Sequence, residues 1–154
     1  MILYLNIGLA SVLAILCAWT DLKSMTIYNR HTYPAVIIGL IYSLVTAQYS
    51  HLYGSLIIFG MYLFLFIKGQ GKMGGGDLKL AVALSLFLGM EPIIYGSIVA
   101  GVFLMIWGFF ATWIRSGQVQ TAAFVVSGKL PGGALPFGAI LGPASVAMAL
   151  LIAF

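Results

Sequence analysis

Residues 92–114 read PIIYGSIVAGVFLMIWGFFATWI, an apolar run without a charged side chain. A helix needs about 20 such residues to cross a hydrocarbon core of roughly 30 Å, so this stretch predicts a transmembrane helix. Further apolar runs lie on both sides of it, at about 2–19, 33–49, 52–67, 78–90 and 135–153. The sequence therefore predicts an all-α, polytopic membrane protein with six transmembrane helices, in which residues 1–154 form a single membrane-embedded domain.

The composition supports this prediction. Hydrophobic residues make up 62% of the chain and charged residues only 6%, whereas a soluble domain carries roughly 25% charged residues. The formal net charge of +4 comes from scattered basic residues, so we expect membrane lipid and no nucleic acid as a partner. Cys17 is the one cysteine, which excludes a CxxC zinc pair. His31 and His51 fall on opposite faces of the predicted topology, and we expect no metal or other cofactor.

The seven basic residues indicate how the chain crosses the membrane. Lys23 and Arg30 follow the first apolar run, Lys68, Lys72 and Lys79 lie between or beside the third and fourth, and Arg115 and Lys129 precede the last. All of them fall in alternate connections, which the positive-inside rule assigns to the cytoplasm. We therefore predict a protein of the cytoplasmic (inner) membrane with both termini outside.

The chain has only three acidic residues, and two of them lie on the predicted cytoplasmic side. Asp21 ends the first helix and Asp77 begins the fourth, whereas Glu91 belongs to a short outer turn. The run from residue 80 to residue 90 spans only roughly 16 Å as a helix. We therefore expect Asp77 to lie within the membrane thickness, in a recess lined by protein and water. An ionisable group at such a depth is a candidate functional residue.

Three glycines, Gly74, Gly75 and Gly76, precede Asp77. Without Cβ atoms they allow an extended peptide to approach closely, and Asp77 would then cap the fourth helix. The field of that helix N-terminus favours an ionised carboxyl at Asp77, whereas a helix C-terminus disfavours one at Asp21. Such a pair could divide the work of general acid and general base. Residue spacing alone leaves two simpler alternatives open. Asp21 could be an interfacial residue without a catalytic role, and Asp77 could serve only as the cap of its helix.

Three segments have the character of family motifs: GGGDLKL at residues 74–80, DLKSMTIYN at residues 21–29 and LPFG at residues 135–138. Together they resemble motifs of the type IV prepilin peptidases. Residues 74–80, GGGDLKL, resemble the GxGD signature of that family. Residues 21–29, DLKSMTIYN, resemble its other aspartate motif, with Tyr28 where the family has proline, and residues 135–138, LPFG, resemble the opening of its last helix. We expect the change at Tyr28 to alter the turn more than the chemistry.

The resemblance implies an aspartic endopeptidase that removes the basic leader from prepilin or pseudopilin substrates at the cytoplasmic face. It makes Asp21 and Asp77 the catalytic pair, without a cofactor. The chain resembles the short, protease-only form of Tad/Flp pilus systems, without a methyltransferase domain. The expected substrate-binding or supporting residues are Lys23, Asn29, Gly74, Gly75, Gly76, Lys79 and Pro136. For most of the basic residues, setting the topology and contacting anionic headgroups is the simpler interpretation.

Two other functions remain open at this point. A small transporter could use the two aspartates as proton or cation carriers, although both lie at one face and the chain has no internal repeat. A structural membrane subunit would leave the glycine–aspartate motif without a purpose. No feature of the sequence predicts an oligomeric state or a particular prepilin.

Overall fold

The computed structural model describes residues 2–24, 26–68, 74–118 and 137–153, and every regular element in these ranges is an α-helix. The helices are α1 (Ile2–Ser24), α2 (Asn29–Val45), α3 (Tyr49–Lys68), α4 (Gly75–Leu88), α5 (Met90–Ser116) and α6 (Phe137–Ala153). The all-α prediction is confirmed. Helices α1, α3 and α5 are long and apolar enough to cross a membrane. Six membrane spans with both termini outside stay a prediction.

The shortest helix, α4, lies at the centre of the bundle and contacts all five others. Its side chains from Leu80 to Phe87 are almost all buried, including the hydroxyl-bearing Ser85. The surrounding helices instead expose large apolar side chains such as Ile15, Leu56 and Ile114, as expected for surfaces that face lipid chains. Asp77 therefore belongs to the helix that is best shielded from lipid.

The turn between α4 and α5 is shorter than the sequence suggested. Gly89 alone makes it, with a φ of +84°, and α5 begins at Met90. Glu91 was expected in an outer turn, but it lies in the first turn of α5. Pro92 can follow it because the first turn of a helix needs no donor from the proline nitrogen.

Close packing of α1 against α6 aligns the two helices antiparallel. A Cβ atom on Gly142 would lie 3.0 Å from Cβ of Ala14, and contacts of this kind between small residues let helices approach closely. Further along the pair, the last turn of α1 lies beside the first turn of α6, which brings Asp21 next to Gly138 and Ala139.

Helix α2 begins after Tyr28, the residue that stands where the prepilin peptidase motif has proline. Tyr28 has φ −72° and ψ 133°, which a proline ring adopts without strain. We expect Tyr28→Pro to leave folding intact and to raise the free energy of unfolding by up to about 1 kcal/mol, because the unfolded chain loses freedom. Thermal unfolding in detergent measures this change. A clear loss of stability would show that the tyrosine side chain, rather than its backbone angle, supports the turn.

Candidate active site

Asp21 in the last turn of α1 and Asp77 in the first turn of α4 lie together, and both side chains are buried. Their separation can be bounded from Gly138, which lies close to both carboxyl groups. A Cβ atom built on Gly138 would be 3.0 Å from Oδ1 of Asp77 and 3.2 Å from Oδ2 of Asp21. The two oxygens therefore cannot be further apart than the sum of these distances.

The N-terminus of α6 supplies backbone donors to both carboxyl groups. The amide of Ala139 donates a hydrogen bond of 2.9 Å to Oδ2 of Asp21, and the amide of Gly138 lies within hydrogen-bonding reach of both aspartates. The partial positive charge of a helix N-terminus stabilises negative charge placed there. Asp21 was expected to feel only the unfavourable C-terminal field of its own helix, but α6 opposes that field.

Asp77 is the third residue of α4 and not its N-cap, which corrects the expectation from the sequence. Gly74 is the N-cap, and its carbonyl accepts a 3.1 Å hydrogen bond from the amide of Asp77. In return, the amide of Gly74 lies within reach of the Asp77 carboxyl, as in a capping box, where an acid at the third position bonds back to the cap. This arrangement fixes the carboxyl relative to the helix.

A cleft of about 230 Å³ opens beside the two carboxyl groups. It is lined by both aspartates, all three glycines of the motif, Thr26 and Ile27. Gly74 and Gly75 are exposed, so their backbone groups are open to a bound peptide. The exposed backbone of Gly74 and Gly75 is called the glycine wall below. The site thus combines two carboxyls, backbone donors and this glycine wall, which together can activate water and hold an extended peptide.

The sequence analysis missed Ile27, Gly138 and Ala139. Ile27 packs between two glycines: its Cβ lies 2.9 Å from where a Cβ of Gly76 would be, and its Cδ1 contacts the corresponding position on Gly138. Ile27 and Gly138 lie inside the motifs quoted above, at residues 21–29 and 135–138. The resemblance to the family could therefore have marked both as candidate site residues. Ala139 acts through its backbone amide, and its residue type gives no indication of that contact.

Comparison with known families decides what kind of protein carries this site. The model of the type IV leader peptidase family matches residues 8–109. The chain belongs to this family. The matched range includes both aspartates and the glycine motif and ends within α5, so α6 lies beyond it. Neither the curated proteins nor the solved structures contain a match to the chain.

Membership of the leader peptidase family indicates a membrane protease. In the part of the chain that the structure describes, no three or more histidine, cysteine, aspartate or glutamate side chains are grouped so that they could hold a metal ion.

The supporting residues predicted for this leader peptidase divide into three cases. Lys79 donates a 2.7 Å hydrogen bond to Oδ1 of Asn29, and its ammonium lies 4.8 Å from the centre of the Tyr33 ring. This pair joins α4 to the first turn of α2. Lys23 is exposed in the last turn of α1. Pro136 lies outside the described residues.

We expect Lys79 and Asn29 to act as a unit that positions α2. Lys79→Met and Asn29→Leu should each lower the free energy of unfolding by about 1 kcal/mol, and the double variant should lose little more than either single change. Thermal unfolding of the four proteins in one detergent measures this coupling. Strictly additive losses would mean that the hydrogen bond does not contribute to stability.

Proposed function

We propose that this chain is an aspartic endopeptidase that removes the basic leader from prepilin or pseudopilin substrates. It does so at the cytoplasmic face of the inner membrane, within a single membrane-embedded domain. The observation that supports the proposal most directly is that carboxyl oxygens of Asp21 and Asp77 both lie close to Gly138, and therefore close to each other. Membership of the type IV leader peptidase family supports it.

The proposed reaction needs only the two aspartates and water. Like charges at this separation favour a pair that holds one proton between its two carboxyls. The ionised carboxyl takes a proton from water as the oxygen attacks the scissile carbonyl carbon, and the protonated carboxyl gives its proton to the carbonyl oxygen. When the tetrahedral intermediate collapses, the carboxyl that took the proton from water gives it to the leaving nitrogen, the other carboxylate takes a proton from a hydroxyl of the intermediate, and the peptide bond breaks. Water is added across the bond, and the pair again holds one proton.

Backbone donors from α6 have a defined part in this chemistry. The amide of Ala139 is hydrogen-bonded to Asp21, and the amide of Gly138 lies near both carboxyl groups; donors placed in advance reduce the reorganisation that the reaction needs. Gly74 adds a further amide at Asp77. The site is therefore organised by main-chain donors, which only a substitution by proline removes.

The cleft suits a substrate that changes from polar to apolar at the membrane surface. A prepilin has a short basic leader followed by an apolar helix, so the junction between them lies at the inner interface. The exposed glycine wall at Gly74 and Gly75 can accept that junction as an extended strand, while the apolar helix stays in lipid. The leader, with its positive charge, remains on the cytoplasmic side.

The test is a cleavage assay with the full chain in proteoliposomes and a prepilin-like substrate. The expected product lacks the leader, and mass spectrometry of its new N-terminus gives the position of the cut. A single cut at the junction of leader and apolar helix supports the proposal. An intact substrate, or cuts scattered along the leader, would contradict it.

A further inference from the structure

The three glycines before Asp77 all line the cleft beside the two carboxyl groups, but contacts with their surroundings account for only two of them. A Cβ atom on Gly74 would lie 2.9 Å from Oδ2 of Asp77, and one on Gly76 would lie 2.9 Å from Cβ of Ile27. Both distances are shorter than a real Cβ atom tolerates. A side chain at either position would therefore displace a carboxyl of the proposed pair or the isoleucine that packs beside it.

Gly75, the first residue of α4, has different surroundings. It is exposed, and none of the residues that the structure describes lies within 4 Å of a Cβ atom built on it. Its φ is not positive, in contrast to those of Gly89 and Gly117, so alanine adopts the same backbone conformation. Neither packing against the described residues nor the backbone conformation therefore requires glycine at position 75.

Gly75 lies close to the two carboxyl groups. Two residues of extended chain span at most about 7 Å, so the Cα atoms of Gly75 and Asp77 are no further apart than that. The side chains of Asp21 and Asp77 are only 6% and 9% exposed, and both line the same cleft as Gly75. An extended peptide advances about 3.3 Å per residue. When the scissile bond lies at the carboxyls, the substrate residue beside Gly75 is therefore within about two positions of the cut.

The cleft has little freedom to widen next to Gly75. Apart from the aspartates and glycines, it is lined by Thr26 and Ile27. The Cβ atom of Ile27, which cannot move without its backbone, packs against Gly76, and the end of the same side chain contacts Gly138. Ile27 thus contacts both α4 and α6, and a move away from Gly75 would break this packing. Space taken by a side chain at position 75 would be lost to a bound peptide.

We propose that Gly75 is a specificity-determining residue, which sets the size of the substrate residues that the cleft accepts within about two positions of the cut. This inference rests on the proposed peptidase function. The missing side chain at position 75 leaves open the space that a substrate side chain fills. Gly74 and Gly76 have a different purpose, because their missing side chains make room for Asp77 and Ile27 of the protein itself.

The test measures binding of a fluorescently labelled prepilin-like substrate to the full-length chain in proteoliposomes. All proteins carry Asp21→Asn, so that the substrate stays intact. Gly75→Leu should weaken binding by at least about tenfold, a usual penalty for a changed fit between a pocket and a side chain, and Gly75→Ala should weaken it less. A second substrate, with glycine at the two positions on each side of the junction, should bind nearly as well to Gly75→Leu as to the protein with Gly75, because it leaves room for the leucine.

Gly60→Leu in α3 is the matched control. Gly60 is also exposed, and a Cβ atom on it also meets none of the described residues within 4 Å, but it does not line the cleft. Binding should be unchanged in this variant. Thermal unfolding adds a measurement that needs no substrate. Gly75→Ala should keep or raise the unfolding midpoint, because alanine has less freedom in the unfolded chain, whereas Gly76→Ala should lower it by pressing on Ile27.

Four results would each overturn the inference. They are unchanged binding in Gly75→Leu, an equal loss of binding in Gly60→Leu, an equal loss for both substrates, and a lower unfolding midpoint in Gly75→Ala. Failure of the chain with both aspartates to cleave the substrate would instead count against the proposed peptidase function. The two failures are distinguishable because binding is measured without cleavage.

Discussion

Cleavage of a prepilin-like substrate should fall by at least about a thousandfold in Asp21→Asn and in Asp77→Asn, in line with the loss of a general acid or base. Asparagine keeps the shape of the side chain but can neither take a proton from water nor give one to the carbonyl oxygen. Because the two carboxyls act as one pair, the double variant should be no slower than either single variant. The rate of appearance of the processed product measures each effect.

The same substitutions should not destabilise the protein. Both side chains are buried near one another, and replacing one carboxyl by an amide of the same shape removes an ionisable group whose charged form is costly to bury. We expect unfolding midpoints equal to or above that of the wild type. Cys17→Ala, one turn earlier in α1, removes a buried side chain near Asp21 and should retain cleavage. Substantial cleavage by either asparagine variant would rule out the aspartate pair as the catalyst.

Gly138→Ala should lower cleavage by about tenfold, because the carboxyl groups must move by a few tenths of an ångström and a misplacement of about 1 Å can cost about a hundredfold. The new Cβ would lie 3.0 Å from Oδ1 of Asp77 and 3.2 Å from Oδ2 of Asp21, and it would also press on Cδ1 of Ile27. Ile27 can move aside, since only the end of its side chain is involved. Backbone amides lie at both carboxyl groups, so the added methyl group would push the carboxyls away from the positions in which those amides orient them.

Two further variants distinguish this effect from general crowding. Gly142→Ala lies one turn later in α6 and adds a Cβ only 3.0 Å from that of Ala14, so it tests tight packing away from the carboxyls and should retain most of the cleavage. In the double variant of Gly138→Ala and Ile27→Ala, the new methyl group no longer presses on Ile27 but still presses on the two carboxyl groups. Cleavage by this double variant should therefore stay low. Recovery in the double variant would show that Ile27, and not the carboxyl pair, is what the methyl group disturbs.

Much of the architecture was predictable because the membrane imposes it. Apolar runs end close to the positions where the helices end, so hydrophobicity alone places the two aspartates at helix ends. The length of the run after Asp77 also indicates a short fourth helix, and α4 has 14 residues. These predictions depend on hydrophobic length, which the sequence records directly.

The contacts that organise the site could not be predicted in the same way. Amides of Gly138 and Ala139 are main-chain groups, and every residue except proline has one. That α6 starts beside Asp21 follows from the close packing of Gly142 on Ala14, a tertiary contact between small residues. The cap of α4 was assigned to Asp77 instead of Gly74 because an aspartate is the commoner cap. Only the geometry shows that Asp77 bonds back from the third position.

The central position of α4 has a consequence for how the enzyme meets membranes of different thickness. A helix of 14 residues exposed to lipid would suffer hydrophobic mismatch, and the bilayer would have to thin around it. Because the other five helices surround α4, they take up that mismatch, and the depth of Asp77 is fixed by protein packing. A change in acyl-chain length therefore moves the whole bundle relative to the headgroups. It does not change the position of Asp77 relative to Asp21.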